Sequence, residues 1–197
     1  METVLSIFLG IGLSAACGFR IFVPFLAMSV ASLLGYLPLS EGFEWIGTVP
    51  ALLTFATATM LEVAAYYIPW LDNLMDSVAT PAAFIAGVVA SASVLTDLPP
   101  LVRWSVALIA GGGVAGIIQG STVLLRTKSS LLTGGIGNAL VATGELIGSA
   151  LTSLLSLAVP VVSAILVFLF LLLTFRLTGR LLFGRRHISY SPTEGKP

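Results

Sequence analysis

Charge is what this chain of 197 residues has least of: Asp, Glu, Lys and Arg together make up 9%. A soluble domain needs about a quarter of its residues charged to clothe its surface, so most of this surface must face lipid. The mean hydropathy of +1.06 agrees. Histidine and cysteine occur once each, as His187 and Cys17. A single cysteine excludes an intrachain disulfide, and a single histidine excludes a histidine-built metal site. Without a His or Cys pair in the core, no nucleophile, base and orienter can be assembled. No metal, no cofactor and no enzymatic activity is therefore expected. Nine basic residues balance nine acidic ones, which gives a nucleic-acid partner no electrostatic footing. The start, METVLSIFLG, lacks a basic stretch and its apolar run outlasts a signal peptide, so the first segment is expected to be retained. Also missing is the alternation of barrel strands, which leaves helices as the way across a bilayer.

What is present reads as an all-α, polytopic membrane bundle of about six spans in a single domain over residues 1–183, with a polar, disordered tail over 184–197. The run from Thr3 to Gly35 carries one charge, Arg20, and as a straight helix would reach roughly 50 Å, beyond the ~30 Å hydrocarbon core. Gly18 and Pro24 bracket Arg20, and a proline there robs the Arg20 carbonyl of its helical donor, so a broken first helix is expected. Later spans are expected over about 50–67, 81–95, 102–125, 138–157 and 160–173. Pro81 is read as a first helical position after a linker from Ile68 to Thr80, and Arg126 and Lys128 as the end of the fourth span. Lysines and arginines gather between the fourth and fifth spans and in the tail, so six spans put both termini in the cytoplasm.

Each half shows a glycine-rich span, a span bearing one glutamate and a span opened by proline. ATATMLE ending at Glu62 matches ALVATGE ending at Glu145. Three spans per half would invert the second repeat (about 101–175) relative to the first (about 3–96), an architecture found in transporters. The competing explanation is that small apolar helices resemble one another by composition.

The runs AACGFRIFVP, LEVAAYYIPWLDNLMD, TPAAFIAG, AGGGVAGIIQGSTVLLR and TGGIGNALVATGE resemble a family of small bacterial membrane proteins catalogued as domain of unknown function 4126. That resemblance implies a multi-pass protein of the bacterial inner membrane and carries no activity with it.

The candidate site residues are the charges that lipid makes costly. A charge at mid-span costs ~2.5–3.5 kcal/mol on insertion scales and seeks the bundle interior and a partner. Glu62 and Glu145, with Arg20 and Gln119, are the candidate ion or substrate pathway. The glutamates admit three readings: a proton or cation site, an ion pair with Arg20, or protonated carboxyls bonded to neighbours. Arg20 has a further alternative, an anionic substrate. Asp72 and Asp76 would lie one turn apart in a helical linker and are the candidate cation or loop site; the plainer reading is a solvated face. Gly10, Ser14, Gly18 and Gly112, Gly116, Gly120 form small-residue stripes suited to close packing of helices in lipid. Arg176, Arg180, Arg185 and Arg186 read as a headgroup anchor. The function expected is a small proton- or cation-linked transporter or channel-like protein. The alternative is a non-transporting scaffold or assembly factor whose charges are structural pairs. Partners are the lipid bilayer and a small solute or ion that the sequence leaves open, with a homo-oligomer as a further option.

Overall fold

A computed structural model describes residues 3–134 and 136–183, with the backbone alone for residues 69–70, 72–73 and 177–183. The described residues form helices: α1 (Thr3–Phe19), α2 (Phe22–Leu33), α3 (Val49–Tyr66), α4 (Pro69–Val94), α5 (Pro100–Thr133), α6 (Asn138–Ala158) and α7 (Pro160–Phe183). Four stretches, within α3, α4, α5 and α6, are long and apolar enough to cross a bilayer, which makes this a helical membrane protein.

Local chemistry sets most boundaries. Pro24 has no N–H to give the Arg20 carbonyl, and the helix stops at Phe19 and restarts at Phe22, as expected from the sequence. At the end of α2, Gly35 adopts φ 77°, and the Tyr36 N–H closes back on the Ala31 carbonyl at 2.9 Å, a left-handed terminator that glycine permits. Thr48 caps α3, its hydroxyl accepting from the Ala51 N–H at 3.4 Å. Pro69 opens α4.

Two expectations about boundaries are corrected. The segment Ile68 to Thr80 is helix from Pro69 onward, and Pro81 lies inside α4 instead of opening a span. Its fixed φ is compatible with a helix, and because its ring is exposed the cost is confined to one backbone bond. Likewise α5 does not end at Arg126 but runs 34 residues to Thr133, roughly 50 Å, so it outreaches the hydrocarbon core or tilts within it. A π-helical turn over Ala107–Gly112 interrupts it.

The bundle is organised around α1. Helix α1 buries ten of its residues, Leu13, Ala15, Ala16 and Cys17 completely, and packs on α4, α5, α6 and α7. A helix apolar on every side belongs in the middle. Small residues let the backbones meet. The Ser14 hydroxyl donates to the Gly87 carbonyl at 2.7 Å, and a side chain at Gly10 would strike Ser91 at 2.8 Å. Added Cβ atoms at Gly18 and Gly112 would strike Ala115 O at 2.7 Å and the Phe84 ring at 2.8 Å. The backbones thus approach closely at Gly10, Ser14, Gly18 and Gly112. A Cβ added at Gly116 would make ordinary contact with Phe84, and at Gly120 nothing lies within 4 Å of one. Gly18→Ala is accordingly expected to lose about 1–3 kcal/mol of stability from overpacking, and Gly120→Ala to lose nothing or gain slightly. Thermal unfolding of the purified variants checks the contrast.

The same contacts give the directions. Along α1, Gly10 and Ser14 meet Ser91 and Gly87, so α4 is antiparallel. Gly12, Ala16 and Arg20 meet Ser156, Ser149 and Ala142, so α6 is antiparallel too. Gly12 and Phe19 meet Ser163 and Phe170, so α7 is parallel. After α2 the chain is back beside the α1 start: Ser40 bonds to the carbonyls of Ala92 and Ser93, within a turn of Ser91. Helices α1 and α2 therefore form a hairpin whose tip is Arg20–Ile21. That extra reversal corrects the expectation of both termini on one side: the described chain begins at one end of the bundle and α7 finishes towards the other.

Candidate functional site

The tip of the α1–α2 hairpin is where the buried charges meet. Breaking the helix frees backbone groups and places Arg20, only 1% exposed, against α6. Its Nη2 donates to the Ala142 carbonyl at 3.0 Å and lies 3.4 Å from Glu145 Oε2. Helix α6 presents Ala142, Glu145 and Ser149 to this point because three- and four-residue steps keep them on one buried face.

Glu62 does a different job. Its two carboxylate oxygens accept from the backbone N–H groups of Ile21 at 2.8 Å and Phe22 at 3.1 Å, the orphan donors at the start of α2. A carboxylate at a helix N-terminus also meets the positive end of the peptide dipoles. Glu62 thus holds the restarted half-helix in place from α3.

The centre of the network is Arg126, 3% exposed. It donates from Nε to Glu145 Oε1 at 3.0 Å and from Nη2 to Glu145 Oε2, the paired geometry that makes arginine–carboxylate contacts strong. Its Nη1 donates to Asp76 Oδ1 at 3.0 Å. Tyr66, four residues after Glu62 and buried, joins the two cations: the guanidinium carbons of Arg20 and Arg126 lie 3.8 and 3.9 Å from its ring centre. Next to it, the Tyr67 hydroxyl and Thr143 Oγ1 are 2.8 Å apart, tying the end of α3 to α6.

Among the described side chains, Glu145 and Asp76 are paired with Arg126, Glu145 also lies beside Arg20, and Glu62 holds the start of α2 next to them. Of the residues singled out from the sequence, Arg20, Glu62 and Glu145 are brought together. Gln119 is buried two turns before Arg126 on the same face of α5 but makes no described contact with the network. Asp76, in a segment that is helical, accepts from Arg126, and the side chain of Asp72 lies outside the described residues. No group of three or more His, Cys, Asp or Glu able to hold a metal occurs among the described residues. Of the anchor arginines, Arg176 is exposed; the side chain of Arg180 and all of Arg185, Arg186 and the tail lie outside the described residues.

Sequence reasoning missed Arg126 and Tyr66. For Arg126 the signal was the stripe Ala115, Ile118, Gln119, Thr122, Arg126, all buried at helical spacing. For Tyr66 it was the four-residue step from Glu62.

Laterally, the bundle surface carries grooves, and one of them, about 430 Å³ between α5, α6 and α7, reaches Glu145. The family described as Domain of unknown function (DUF4126) matches residues 7–180. No curated protein and no solved structure matches the chain.

Proposed function

The chain belongs to the DUF4126 family, whose description names no activity, and from the ion network we propose a small proton- or cation-linked membrane transporter. The observation that carries this reading is Glu62 at the helix break, a buried carboxylate whose described hydrogen bonds come from the neutral backbone N–H groups of Ile21 and Phe22. A carboxylate held by neutral donors in a low-dielectric interior is suited to taking up a proton or cation. The broken α1–α2 hairpin supports it as well. Glu62 joins α3 to the half-helix, so neutralising that carboxylate weakens the hold on α2 and gives occupancy a route to movement.

Two inverted halves remain part of the proposal in modified form. Helices α3 and α6, which carry the two glutamates, run in opposite directions, as inversion requires. Glu62 sits one turn before the end of α3 and Glu145 two turns after the start of α6, so they act as neighbours in one network and not as symmetry equivalents. The scaffold reading has one observation in its favour: each of the three acids has a direct partner in the network. Wild-type protein in liposomes is expected to pass protons or a coupled cation under an imposed gradient. A protein that passes neither, nor any tested solute, is a scaffold.

The orientation proposed puts the Lys128–Arg176 end in the cytoplasm of a bacterial inner membrane, because lysine and arginine gather there. Single cysteines at Glu41 and Thr133, exposed at opposite ends, report it in a Cys17→Ser background. A membrane-impermeant maleimide on intact cells is expected to label the first and spare the second. Reversed labelling would invert the orientation, and labelling of both would contradict the topology.

A further inference from the structure

Between α2 and α3, two buried hydroxyls stand apart from their neighbours. On α3, the Thr54 and Thr57 hydroxyls donate to the carbonyls one turn back, of Pro50 at 2.8 Å and Leu53 at 2.9 Å. The Thr59 hydroxyl oxygen, though buried, has no hydrogen-bond partner among the described residues, and neither has that of Ser29 on α2, whose side chain is 0% exposed. A hydroxyl shut away from protein partners is unfavourable, and in native interiors water is what commonly satisfies it. Helical spacing puts the two in one line. Thr59 shares the inward stripe of α3 with Ala51, Phe55, Glu62 and Tyr66, about one turn before the carboxylate. On α2, Phe25, Ser29 and Ser32 share a face. The two helices are antiparallel, since Glu62 meets Ile21 and Phe22 while Phe55 stacks on Phe25 with ring centres 5.3 Å apart. From the Glu41 end of the bundle the seam therefore runs past Ser32, which lies against Gly47, to Ser29, then the Phe25–Phe55 stack, then Thr59 and Glu62.

We infer that this seam is a water-lined access route from the Glu41 end to Glu62, gated by the Phe25–Phe55 stack. A hydroxyl both donates and accepts, so Ser29 and Thr59 carry a hydrogen-bonded file of water on either side of the stack. Paired rings form an apolar constriction, which closes by excluding water and opens when they separate. The route suits a proton better than a metal cation: a file of hydroxyls and water relays a proton, whereas a metal cation needs several oxygen ligands at once. As the path to the acceptor carboxylate this rests on the reading of Glu62 above, yet thiol reactivity is measured without flux, so route and transporter can fail separately.

The test is thiol chemistry on the protein in lipid nanodiscs. Ser29→Cys, Thr59→Cys and Thr57→Cys, each in a Cys17→Ala background, are treated with 2-aminoethyl methanethiosulfonate and followed by intact mass. The reagent attacks thiolates, which form in water and not in lipid or a dry core. Thr57 is the control, close to Thr59 in depth but exposed on the outer side of α3. Ser29→Cys, ahead of the stack, is expected to react at least about tenfold faster than Thr57→Cys. Thr59→Cys, behind the stack, is expected to match Thr57→Cys until Phe55→Leu removes one ring, and then to react at least about tenfold faster. Ser29→Cys no faster than Thr57→Cys, or Thr59→Cys unmoved by Phe55→Leu, would overturn the route. Equal acceleration of all three thiols by Phe55→Leu would overturn it too, being the mark of a loosened bundle. Thr59→Cys as fast as Ser29→Cys with both rings present would overturn the stack as gate.

Discussion

Replacing Arg126 with leucine is expected to cost roughly 3–5 kcal/mol of stability, the scale of stranding a buried charge by removing its partner. The change takes away the paired contact to Glu145 and the bond to Asp76 together, and with them one of the two cations on the Tyr66 ring. Glu145 and Asp76 then lose the guanidinium that holds them both, and Glu145 keeps Arg20 at 3.4 Å. Adding Glu145→Gln should restore part of the loss, since a neutral amide is cheaper to bury than an orphaned carboxylate. Unfolding of the single and double variants in detergent measures the coupling. Losses that simply add would mean that the guanidinium and the carboxylate stabilise the protein independently, contrary to the contacts described here.

Glu62 carries the second large effect. Glu62→Ala leaves the Ile21 and Phe22 N–H groups without their acceptor in a part-buried site, at about 1–3 kcal/mol for each orphaned donor. Part of that is offset because a buried carboxylate is also removed, so a loss of about 2–4 kcal/mol is expected. Glu62→Gln keeps an oxygen for one donor and should cost less than half as much. Hydrogen exchange at the start of α2 is the local readout. Protection there should fall in the alanine variant while the interior of α1 stays protected. Unchanged exchange at Ile21 and Phe22 would contradict the capping role.

Much of this was legible in the sequence because lipid penalises charge so heavily. Arg20, Glu62 and Glu145 stand out as lone charges in apolar runs, and the structure gathers all three. The helix break was legible from Pro24, whose missing N–H acts on the residue four before it, Arg20 itself. Arg126 was not, because a basic pair after an apolar run has the same pattern as the end of a span; only the buried stripe from Ala115 shows the helix continuing inward. Proline misled at position 81 for a similar reason: its local effect favours a helix start, but an exposed proline within a long membrane helix costs one backbone bond and need not end it. The hairpin of α1 and α2 was beyond reach, since the direction taken after a break is decided by distant partners such as Ser40 with Ala92 and Ser93. Gly87 and Gly111 lie outside the regular four-residue stripes and meet only because α4 and α5 cross there, next to the π-helical turn.

The central claim is that a carboxylate of the network takes up a proton or cation during transport. Its most direct test is gradient-driven proton or cation flux into liposomes containing wild type, Glu62→Gln or Glu145→Gln, each shown to be folded by its unfolding transition. Wild type is expected to give flux above protein-free liposomes, and each variant is expected to lose the proton- or cation-linked part of it. Flux in both folded variants equal to that of wild type would contradict the claim.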